Sequence, residues 1–66
     1  MQALFLMWCG KELVRVEVLH TVSGINLNGT ARALMDEVWS SEGRNVDYCV
    51  IYLISDRRLV LVAEER

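Results

Sequence analysis

Val46-Asp47-Tyr48-Cys49-Val50-Ile51-Tyr52-Leu53-Ile54 is a run of β-branched and aromatic residues with apolar side chains on both of its faces. A strand of that kind must be buried on both sides. Downstream, Ser55-Asp56-Arg57-Arg58 supplies a turn before the apolar run Leu59 to Ala63, so residues 46–63 predict a hairpin. The last residues, Glu64 to Arg66, are expected to fray.

Upstream, two further apolar runs, Ala3 to Trp8 and Leu13 to Leu19, flank Gly10-Lys11. Glycine at the first central position of a two-residue turn suits a type II′ hairpin, whose twist matches that of its strands, so residues 2–20 predict a second antiparallel pair. In its second strand Val14, Val16 and Val18 alternate with Arg15 and Glu17, which predicts valines inward and charges outward. Residues 21–29 carry loop chemistry: two Gly, two Asn and a Ser lie between Ser23 and Gly29. A helix over about 30–42 follows, capped by Asn28 or Thr30. Ala31, Leu34, Met35, Val38 and Trp39 form its apolar stripe, and Gly43 closes it.

The fold class is therefore α+β: a single ββαββ domain, residues 1–66, with one helix across one face of a four-stranded, mostly antiparallel sheet. One helix covers one face. Three of the four strands are apolar on both, so the second face is expected to meet a partner, most simply a second copy of the chain.

The opening elements resemble the ubiquitin-like β-grasp family over the first two thirds of the chain: a strand, a tight hairpin at Gly10-Lys11, a second strand, and a helix ending near Glu42-Gly43. That resemblance offers a β-grasp-like arrangement of the same elements as the alternative fold. The chain finishes in Glu-Glu-Arg rather than Gly-Gly, so the resemblance implies neither conjugation nor sulfur-carrier chemistry.

A chain of 66 residues buries only about 60% of its unfolded surface, and such small domains recover stability through disulfides, metals or oligomerisation. Two cysteines, one histidine and 53% hydrophobic residues favour the third route. Cys9 and Cys49 are too few for a disulfide framework and are expected to be reduced thiols of a cytoplasmic protein. The N-terminal run lacks a basic n-region and a small-residue cleavage site, and no stretch reaches the ~18 apolar residues of a membrane helix. The formal net charge of -2 gives nucleic-acid binding no support.

Candidate sites are sparse. Cys49 and His20 are the one nucleophile and base pair, without spacing that brings them together, and Cys49 lies in an apolar strand where a free cysteine packs as a small hydrophobe. Cys9, His20, Asp47 and Cys49 show no metal-ligand spacing. Gly24 and Gly29 bracket the loop before the helix, yet neither phosphate-binding glycine motif is present. No catalytic residue, metal or cofactor is assigned. Trp39 belongs to the helix stripe and is expected in the core, whereas Trp8, Tyr48, Tyr52, Val60 and Val62 are the interface candidates.

The expected function is a small, non-catalytic protein-binding module, homodimeric, that regulates or inhibits a partner protein by docking. Motif-free chains of this size are common among phage-borne and mobile-element regulators. The alternative is a dimeric nucleic-acid-binding regulator using Lys11, Arg15, Arg57 and Arg58 on phosphates.

Overall fold

A computed structural model describes residues 1–20 and 26–66. The expected ββαββ order is present: β1 (Gln2–Cys9), β2 (Glu12–Leu19), α1 (Leu27–Glu42), β3 (Tyr48–Ser55) and β4 (Arg58–Glu65). The strands form one open sheet in the order β2-β1-β3-β4, antiparallel at every pair. The hairpins thus join through their first strands, β1 and β3, whose side chains are apolar on both faces. Nothing in this sheet order extends the β-grasp likeness beyond the element order that suggested it.

Both turns have the backbone signs their sequences call for. Gly10 has φ +60° while Lys11 does not turn positive, the pattern of a type II′ turn. Asp56 and Arg57 both have positive φ, 49° and 62°, the pattern of type I′. The Asp47 carboxylate accepts the Gly10 N–H at 3.0 Å, and the Asp47 N–H donates to the Trp8 carbonyl at 2.9 Å, so the segment entering β3 anchors the far hairpin.

The helix begins three residues earlier than the sequence suggested. Its cap is Asn26, whose side chain accepts the Gly29 N–H at 3.0 Å, and Thr30 donates its hydroxyl to the Asn26 carbonyl. Asn28 is inside the first turn and instead turns toward β4. Residues 21–25, including Gly24 of the anticipated loop, lie outside the described residues. At the other end Gly43 is left-handed and donates its N–H to the Trp39 carbonyl, as anticipated.

The core lies between α1 and the inner strands. Ala3, Phe5 and Met7 of β1, Cys49 and Ile51 of β3, Ala31, Met35 and Val38 of α1, and Val46 are buried together. Trp39 departs from its expected place: it is 62% exposed, because Val38 takes the inward position beside Met35.

The charged ends of the sheet clip the helix. Glu65 accepts from the Asn28 amide and pairs with Arg32 at 3.0 Å, and the Asn28 amide also donates to the Glu64 carbonyl. Glu64 and Glu65 are therefore ladder residues of β4 and do not fray. On the opposite edge Arg15 reaches from β2 to Glu37 and Glu42, each at 3.6 Å. Arg15, Met7, Cys49 and Glu65 occupy one row of the ladder, so α1 runs across the strands from β4 to β2.

Candidate interaction surface

The ladder places successive residues on alternate faces. With Phe5, Met7, Cys49 and Ile51 under the helix, the other face is built of rows that cross the sheet. One row is Val18, Leu4, Tyr52 and Leu61; the next is Val16, Leu6, Val50 and Glu64; beyond it stand Leu13, Trp8 and Tyr48. Ile54 and Leu59 complete the other end, beside Gln2, whose amide donates to His20 Nδ1 at 2.9 Å. Central residues are half-buried by their neighbours. The edge residues are open: Val16 is 47% exposed and Leu61 54%.

Charge on this face is confined to one corner. The Tyr48 hydroxyl donates to Glu64, and the Arg66 guanidinium lies 4.7 Å from the centre of the Tyr48 ring, a cation–π distance. Apart from the Gln2–His20 pair at the other end, the rest is aliphatic and aromatic. No element among the described residues covers it.

Of the interface residues expected from sequence, Trp8, Tyr48 and Tyr52 stand on this face. Val60 does not, since it pairs with Leu53 on the helix side, and Val62 is the extra residue of a bulge opposite Ile51 and Tyr52. Leu4, Leu6, Val16, Val18, Leu59 and Leu61 were missed. The signal that should have found β2's share was its alternation, taken in the wrong phase: Val16 and Val18 face away from the helix, and Arg15 and Glu17 face it. A bulge between Met7 and Trp8 inserts Val14 and shifts the phase, so Val14 packs on the core while the later valines do not.

The other candidates are dispersed. Lys11 caps the β1–β2 hairpin and Arg57 and Arg58 the β3–β4 hairpin, at opposite ends of strands eight residues long, about 25 Å apart. Arg15 is held among Glu17, Glu37 and Glu42. Cys49 is fully buried; burial, with the Glu65 carboxylate nearby, pushes its thiol up to about 11. His20 follows Leu19, which opposes Ala3, whereas Cys49 opposes Met7. That register sets His20 level with Gln2, five residues of strand from the level of Cys49, about 17 Å. Asp47 is engaged by Gly10, and among the described residues no three potential ligands converge on a metal position.

No helix is long and apolar enough to cross a membrane among the described residues. No protein family, curated protein or solved structure matches the chain, so function is argued from the surface itself.

Proposed function

We propose that this chain is a non-catalytic binding module that works as a homodimer, its two open sheet faces packed together and its helices outward, where they dock a partner protein. The uncovered, almost uncharged sheet face carries the reading. Soluble monomers rarely leave contiguous apolar patches larger than a few hundred Å². The broad side of the molecule measures 35 by 22 Å. A face-to-face dimer can therefore bury on the order of 800 Å² per partner, the area of a standard stable interface.

A second copy suits the face better than an unrelated surface because its chemistry is self-complementary. The middle offers Leu4, Leu6, Val50 and Tyr52 with no charge to neutralise, and the one ionised corner already pairs internally. Sheets of this kind stack about 10 Å apart with strands turned by roughly 30°. What supports a non-catalytic role is the burial of Cys49 and its separation from His20. The dispersal of Lys11, Arg15, Arg57 and Arg58 gives the nucleic-acid alternative no continuous track.

Two neighbouring residues on opposite faces supply the test. Leu61→Lys puts a charge on the open face, and Val60→Lys puts one on the helix side of the same edge strand. Light scattering from micromolar to hundreds of micromolar protein should give a dimer for the parent and for Val60→Lys, and a folded monomer for Leu61→Lys. A parent protein that stays monomeric throughout that range would sink the dimer.

A further inference from the structure

We propose that the groove on the helix side of the molecule receives an arginine side chain of a partner protein, with Trp39 as its stacking surface and the Asp36 carboxylate as its counter-charge. The proposal does not depend on the dimer, although a face-to-face dimer would display the groove twice, on its outer surfaces. The groove encloses about 460 Å³ and is lined by Arg32, Met35, Asp36, Trp39, Asn45 and Val46. That volume is within the range of small-ligand sites and takes one long side chain with its flanking backbone.

Trp39 is the first reason. A tryptophan left 62% exposed on a helix keeps a large apolar area in water that a neighbouring side chain or a partner would remove. It lines the groove together with Met35 and Val46, both buried, whose apolar surfaces suit the methylene stem of a long cationic side chain.

Charge is the second. Arg32, the cation of the groove, is already taken by Glu65 and by the Arg66 carbonyl. Asp36 has no ion pair among the described residues. Elsewhere on the helix side, at the β2 edge, Glu17, Glu37 and Glu42 share the single guanidinium of Arg15. The last helical turn, which Trp39 opens, holds no basic residue to offset the negative end of the helix dipole. Asp36 is therefore the charge of the groove that has no partner among the described residues. Arginine fits better than lysine, because its planar fork stacks on an indole and meets a carboxylate with two parallel hydrogen bonds.

The probe is a short capped peptide, acetyl-Gly-Arg-Gly-amide, titrated into the full chain and followed by the two tryptophan indole N–H resonances. A saturable shift of Trp39 is expected at millimolar peptide, with Trp8 unmoved and no shift from the peptide in which citrulline replaces arginine. Asp36→Asn should weaken the binding about fivefold, the loss of roughly 1 kcal/mol. Trp39→Ala should abolish the accompanying shift of the Asn45 side-chain amide. Both variants alter exposed positions, and circular dichroism checks that they fold. Equal shifts from the citrulline peptide, or no saturable shift at all, would overturn the proposal. So would a concentration-dependent Trp39 shift in the protein alone that disappears in Arg58→Ala, since the arginine would then come from a second copy. Running the titration on Leu61→Lys as well separates failure of the groove from failure of the dimer.

Discussion

Cys49 shows how one residue records its surroundings. Its thiol is buried under the helix, opposite Met7 on one side and Glu65 on the other, and its pKa is raised from 9.0 to about 11, first by desolvation and then by the Glu65 charge. Between these two values the unfolded chain releases a thiol proton that the folded chain retains. The unfolded state then binds fewer protons, so stability falls as pH rises from 9 toward 11. The expected outcome is that the parent loses stability across that window faster than Cys49→Ala, by on the order of 1 kcal/mol per pH unit at most. Denaturant midpoints measured at each pH check it, and identical slopes would mean that the thiolate is as well solvated folded as unfolded. In the same protein at neutral pH, Cys9, which is only half-buried, is expected to react with a thiol reagent before the buried Cys49, as mass spectrometry of a brief labelling would show.

At the scale of elements, what was legible in the sequence was existence, and what was not was phase. Glycine at position 10, the apolar runs and the stripe through Ala31, Met35 and Val38 each follow from a local rule, and all five elements appear in the expected order with some ends displaced by two or three residues. The facing of β2 and β4 was not legible, because each contains a bulge that shifts the alternation partway along. A strand with valines on one side and charges on the other names two faces without saying which meets the helix. On edge strand β2 the long Arg15 side chain is compatible with the helix side, since it bridges to Glu37 and Glu42. The open-face residues Trp8, Tyr48 and Tyr52 on β1 and β3 were easier to place, as those strands carry no bulge relative to each other. The helix start was missed because Asn26, Asn28 and Thr30 are all competent caps, and choosing among them depends on where Asn28 is needed.

It is needed at β4. The Glu65 carboxylate is held below its usual range by the Asn28 amide and then by Arg32, so its contribution is present at neutral pH and is lost as pH falls through that lowered value. Glu65→Gln removes the charge while keeping the shape. The variant is expected to be less stable than the parent at pH 7, with the difference shrinking in acid as the parent's carboxyl protonates. Amide exchange at Asn28, Gly29 and the last residues of β4 gives the local reading: these amides should exchange faster in the variant. A uniform change across the whole sheet would instead make Glu65 a global rather than a local clip.

The whole molecule is a two-layer slab whose second layer covers one face of the first. Among the described residues its buried core is nine side chains, drawn from the inner strands, the helix and Val46. A domain this small has little margin of its own, and the face that would enlarge the core is the one turned to solvent. If folding and pairing are one process, mass action ties them together: each tenfold rise in protein concentration favours the folded dimer by about 1.4 kcal/mol. For a dimer of this size that corresponds to a rise in Tm of about 5 °C per decade of concentration. Leu61→Lys, if folded but monomeric, should show no such rise. A parent whose Tm is independent of concentration, yet which scatters as a dimer, would mean that the pair is so tight or so slow to part that unfolding is governed by rate. Scanning at several heating rates distinguishes that case, because a rate-governed Tm moves with scan speed and an equilibrium one does not. The concentration series therefore measures how far the open sheet face contributes to the fold itself, beyond bringing two copies together.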